Sequence, residues 1–323
     1  MLATTEQVED LVSRGKSLIL AGEEQLLASL PKGNWIGGTI PYFVGAEGGR
    51  TTRDHIFVQP VADASTKCTI QVYDAKTISQ VAVDSPEPGY TVLILPAFSQ
   101  IHQDYALNAP NYEQLFFKVV GGWIAGIHLD DLGKKSPKVF NGFTGETLAS
   151  AGVAMHVELP PKRQAQLGIV NIFEQGNGDE LRFPKTGFSA SECLVNGERR
   201  NLAEYYKTKG IDSRLPLVAD FCGAMINVSI QAIDDAAGVV KFYAPVFDTA
   251  VYRVAKPVAN YAKEFGGAIP TTIKNPVFSC NCVLNYLHGE LENRRTGSVT
   301  GPMTFGEIGY QLLNQTLVYI TVP

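Results

Sequence analysis

Two stretches of this chain, 88 residues apart, are nearly the same. Gly33-Asn34-Trp35-Ile36-Gly37-Gly38 matches Gly121-Gly122-Trp123-Ile124-Ala125-Gly126, and together they hold both tryptophans of the protein. Each follows a Glu-Gln-Leu, at Glu24 and at Glu113, that reads as the start of a helix. A helix, a glycine turn, an aromatic strand and a hairpin make one supersecondary unit, here used twice. The end of the chain reads as a looser third copy: a strand over 277–282, a helix over 283–291, a glycine-punctuated stretch over 297–308 and a closing strand over 315–322.

The remaining pattern agrees with an α/β fold. Val8, Leu11 and Val12 have helical spacing behind Thr4 or Thr5 as N-cap, and short apolar runs at 17–21, 55–61, 68–73 and 90–96 read as strands. Paired prolines at Pro160-Pro161 lie between two apolar strands and suggest a boundary, giving α/β domains over 1–160 and 161–323. Units of this kind place sheets against each other with helices outside.

Composition narrows the function. Lys and Arg total 27 against 32 Asp and Glu, a net charge of −5, which argues against nucleic-acid binding. The first residues carry no basic and apolar leader, no apolar run is long enough to span a bilayer, and five cysteines at irregular spacing fit a reduced compartment. The expectation is a cytoplasmic protein. P-loop, Gly-x-Gly-x-x-Gly, His-Glu-x-x-His, Cys-x-x-Cys and Gly-x-Ser-x-Gly patterns are absent, so no catalytic residue is assigned.

Three segments near the end occur in a telling order: Val277-Phe278-Ser279-Cys280, Phe305-Gly306-Glu307-Ile308-Gly309, and Leu313-Asn314-Gln315-Thr316. In that order they resemble the close of the FIST family of bacterial sensory proteins. Glu192-Cys193-Leu194-Val195-Asn196-Gly197 is similar to the opening of that family's C-terminal domain, and Pro137-Lys138-Val139-Phe140-Asn141-Gly142 to the end of its N-terminal domain. The resemblance implies a FIST N-like and a FIST C-like domain, a small ligand with amino acids proposed, and signalling through a separate partner, because both domains use up the chain. Some members are reported to bind haem, which makes haem the one cofactor to consider. The family often has His before Asn-Gln-Thr, where this chain has Leu313.

Among individual residues, Glu307 stands between glycines that let a backbone approach closely, and its carboxylate suits an ammonium group. Cys280 and Cys282 would share one face of a strand, as a redox pair, half a metal site, or small buried hydrophobes. Gln315 and Thr316 alternate, so only one can face a pocket. The expected ligand site is therefore Cys280, Asn281, Glu307 and Gln315, in a pocket between the domains, with no metal. His102-Gln103-Asp104 and His128-Leu129-Asp130 could each offer two metal ligands if they lay on strands, and His288 could reach a haem. Arg50 and Arg53 suit a ligand carboxylate or ordinary ion pairs. The reading is thus a ligand-binding sensory protein. An enzyme using Cys280 or a His/Asp metal site, and a structural or assembly protein without ligand, are the alternatives.

Overall fold

A computed structural model describes residues 1–61, 66–221, 223–271, 273, 276–295 and 299–323. The fold is mixed α/β and rich in sheet. It starts as the sequence predicts. Thr4 caps helix Thr5–Ser13, its hydroxyl accepting from the Gln7 N–H at 3.4 Å while the Gln7 side chain accepts from the Thr4 N–H at 3.0 Å. This reciprocal box satisfies two donors that the first turn leaves free. Thr4→Ala is expected to cost about 1 kcal/mol of stability, read as a lower urea midpoint at unchanged slope.

Three parallel strand pairs, each with a helix between its strands, organise the molecule. Leu18–Gly22 and Trp35–Thr39 run parallel around helix Glu24–Ser29. Gly89–Pro96 and Val120–Ala125 run parallel around helix Gln100–Asn108. Phe278–Cys282 and Gly301–Thr304 run parallel around helix Val283–His288. Parallel neighbours need such crossovers because a tight hairpin cannot reverse the chain twice. The helix expected at Glu113 does not form: Gln114 has φ 62° and the segment is a turn. Pro110 interrupts the chain just before it, and Phe116 and Phe117 are exposed around the single buried Leu115, so no apolar helical stripe exists. The crossover helix lies earlier, where Ser99 accepts from the His102 N–H. The stretch expected over 297–308 begins outside the described residues, and its strand covers Gly301–Thr304.

The sheets do not divide at residue 160. One six-stranded sheet joins Lys67–Tyr73, Gly89–Pro96, Val120–Ala125 and Gly152–Glu158 to Glu307–Gly309 and Gln311–Leu313. Another joins Tyr42–Gly45 and Gly48–Thr51 to Gln166–Val170, Phe278–Cys282, Gly301–Thr304 and Leu317–Thr321. Both mix the two expected domains, because the last 50 or so residues return to pair with the first half. What stands apart is an inserted unit over 181–254, whose strands pair only with one another around Phe183, Leu202, Tyr206, Leu217 and Tyr252. The double proline merely turns the chain between Gly152–Glu158 and Gln166–Val170.

Strand alternation distributes the cores. Leu18 and Leu20 cluster with Val8, Val12 and Leu27 of the first two helices. Ile19 and Ala21 join Val92, Ile94 and Trp123 in the largest core. Leu93 and Leu95 cluster with Ile101 and Tyr105 of the crossover helix.

Candidate functional site

Glu307 pairs opposite Trp123 and is fully buried. The Thr316 N–H and hydroxyl donate to its Oε2 at 3.2 and 2.8 Å, and the Cys282 thiol adds a further hydrogen bond. Desolvation outweighs these donors and pushes the carboxyl up to about 8. At neutral pH it is therefore mostly a neutral acid. Cys280 and Cys282 lie beside it, and burial together with Glu307 pushes both thiols well above their ordinary value. Cys280 Sγ donates to the Gly122 carbonyl at 3.2 Å. Such thiols are poor nucleophiles, because the thiolate is the reactive form.

The four residues expected to line a ligand pocket thus come only partly together. Cys280 and Glu307 share one buried polar cluster, and Thr316, not Gln315, faces it. Asn281 accepts from the Cys282 N–H and the Asn285 amide at 2.8 and 2.7 Å. Gln315 has φ 51° and turns toward the inserted unit, accepting from Ser229 Oγ at 2.7 Å. The cavity beside Cys280 and Asn281 is about 10 Å³, room for about one water. Each of the four has a hydrogen-bond partner elsewhere in the protein, which removes the need for a ligand to supply one.

A larger cleft is lined by residues that neighbour this cluster along the chain, Val283 next to Cys282 and Phe305 two residues before Glu307. Three of its walls follow the carboxyl ends of parallel strands. Ala97 and Phe98 come after Gly89–Pro96, Val283 and Leu284 after Phe278–Cys282, and Phe305 after Gly301–Thr304. Leu129 and Leu132 come shortly after Val120–Ala125. The inserted unit closes the opposite side with Phe188, Gln231, Lys241 and Tyr243. Register shifts fall at these positions: between Gly187 and Ser189, and between Ile230 and Ala232, where Gln231 is the extra residue. A bulge re-aims side chains out of the regular alternation, and here it delivers Gln231 to the cleft.

The cleft has two chambers, of about 310 and 110 Å³, sharing Phe98, Gln231, Tyr243 and Phe305. Phe98 has φ 65°, a left-handed conformation costing a side chain about 1 kcal/mol or more, and its ring packs edge-on to Phe305 at 6.0 Å. His102 is buried, its Nε2 has no hydrogen-bond partner, and burial lowers it to about 4, so it stays neutral. A hollow of about 480 Å³ on the inserted unit is larger, but its charges pair internally, Lys209 with Asp179 and Arg200 with Glu198.

The other candidates resolve locally. His102 and Asp104 lie on a helix, not a strand, so two residues apart they point in different directions. Asp104 accepts from Gln100 instead. His128 accepts from the Asp130 N–H at 3.2 Å and stacks on Tyr42. Among the described residues no three His, Cys, Asp or Glu side chains converge. His288 ends its helix and lines neither chamber. Arg53 pairs with Asp131 at 2.8 Å, and Arg50 is exposed. No helix is long and apolar enough to cross a membrane among the described residues.

A family model matches residues 3–323, that of a family of unknown function, DUF6976. The chain belongs to this family. No curated protein and no solved structure matches it.

The cleft residues were partly legible. Phe305 stands in the Phe-Gly-Glu-Ile-Gly segment and His102 in a noted triplet. Phe98 had a usable signal, a bulky residue between a strand end and the Ser99 cap. Lys241, Gln231 and Tyr243 had none, because bulges break the alternation that would have pointed them inward.

Proposed function

We propose that this protein binds a small molecule in the cleft between the inserted unit and the main body. The observation that carries this reading is the convergence of three strand-end segments, Ala97-Phe98, Val283-Leu284 and Phe305, on one concave, mostly apolar space. Crevices outside the carboxyl ends of parallel strands are where α/β folds hold ligands, since strand-to-helix loops meet there. An unpartnered His102 Nε2 in the wall supports it further, because a buried nitrogen left unsatisfied is costly.

In this reading the chain is a cytoplasmic sensor that acts on a separate partner, akin to the FIST proteins, whose motif order its end resembles. The Cys280, Asn281, Glu307 and Gln315 cluster then neighbours the cleft and is not its lining. We read the layering in the same spirit: helices outside two facing sheets, from a unit used more than once. The split of the cores on either side of Leu18–Gly22 supports it.

A thermal-shift screen over amino acids, small organic acids and haem tests the proposal. A ligand at 100 times its Kd should add about 2.7 kcal/mol, raising Tm by several degrees. Gln231→Trp, at an exposed position bordering both chambers, should abolish the shift. Silence across the screen, or a shift that survives Gln231→Trp, counts against the cleft.

A further inference from the structure

Taking the cleft as a ligand site, the distribution of charge within it narrows the ligand. The larger chamber has one charged side chain, Lys241, and no carboxylate among its described lining residues. Lys241 forms no ion pair among the described residues. His102 borders the same chamber, 7% exposed, with its Nε2 unpartnered. The smaller chamber is different. Leu129, Leu132, Val283, Leu284 and Leu287 line it, and no charged group does among the described residues. Leu132, Leu287 and the dividing Phe98 are 45%, 40% and 51% exposed, an apolar surface collected at one end of the cleft.

We infer that the occupant is a straight-chain carboxylate, its head between Lys241 and His102 and its hydrocarbon tail running past Phe98 into the leucine-lined chamber. The Lys241 ammonium supplies a charge-assisted bond to the carboxylate, and the neutral imidazole donates its Nε2–H to the other oxygen. Burial keeps that imidazole neutral, and Lys241, exposed at the chamber's edge, has no ion-pair partner among the described residues, so an anion engages both. A free amino acid fits less well, because no carboxylate among the described lining residues of the larger chamber offsets its ammonium charge. A compact dianion fits less well too, since it would leave the apolar end wet.

Titration calorimetry with butanoate, hexanoate, octanoate and decanoate, and with 1-alkanols of the same lengths, tests this. Affinity should rise about three- to fourfold per methylene, then level off once the smaller chamber is filled. Lys241→Met should weaken octanoate at least tenfold and leave 1-octanol unchanged. Leu287→Trp, at a half-exposed position, should bring the levelling to a shorter chain. Equal affinity for acid and alcohol, or no dependence on length, overturns the carboxylate class. If other molecules still bind in a Gln231→Trp-sensitive way, the cleft itself stands. If nothing binds, both readings fall. Co-sedimentation with phosphatidylglycerol vesicles without saturable binding of free octanoate overturns the inference in favour of a bilayer surface.

Discussion

Glu307→Ala is expected to lower the unfolding free energy by about 3–5 kcal/mol, while Glu307→Gln leaves the protein folded at neutral pH. The truncation leaves the Thr316 N–H and hydroxyl without their acceptor in a place where no solvent reaches, and it empties side-chain volume beside Trp123. The amide keeps an oxygen for Thr316 and carries no charge, much like the acid that Glu307 mostly is at pH 7. The pH dependence separates the two forms. The folded carboxyl titrates at about 8 against 4.5 in the unfolded chain, so the native state holds the proton more tightly. Its contribution is complete below pH 4.5 and is lost as pH rises through 8. Within that window, wild type should lose about 1.4 kcal/mol per pH unit relative to Glu307→Gln. Urea unfolding of both proteins at several pH values between 5 and 8 measures this difference, and parallel curves would mean that Glu307 is ionised in the fold.

Trp123→Ala should cost a comparable amount, about 3–5 kcal/mol. The indole is fully buried in the largest core, and its Nε1 has no partner, so it acts there through packing alone. One constraint on it is Gly38, on the strand that carries the other tryptophan. A Cβ at Gly38 would fall 2.7 Å from the Trp123 ring and 2.8 Å from Ile94. Gly38→Ala should therefore cost about 1–3 kcal/mol by overpacking. In a Trp123→Phe background part of that cost should vanish, because the smaller ring vacates its share of the space while Ile94 still presses at 2.8 Å. A double-mutant cycle reads this coupling directly, and additive effects would show that the two strands do not press on each other at this point.

These two positions differ in how far the sequence reveals them. Trp123 and Gly38 sit in the repeated Gly-x-Trp-Ile stretches, so their burial on matching strands was readable from the pattern alone. Glu307 was readable as a special residue, since glycines flank it, but its neutral state was not. That state depends on burial and on Cys282, Thr304 and Thr316, which three separate segments bring around it. Arg53 shows the same limit: its partner Asp131 lies 78 residues away.

Local chemistry in the sequence sufficed for the capped helix Thr5–Ser13 and for the strands expected at 17–21, 55–61, 68–73 and 90–96, each found within a residue or two. Caps, glycines and apolar periodicity act over a few neighbouring residues, so they are written in order along the chain. The segment Glu113-Gln114-Leu115 is a turn although Glu24-Gln25-Leu26 starts a helix, because it buries only Leu115 and leaves Phe116 and Phe117 exposed. Tertiary structure alone decided that the final strands return to the first half of the molecule, and that the inserted unit closes a cleft over their ends. Long-range pairing answers to the total surface buried, a quantity that no short stretch of sequence contains.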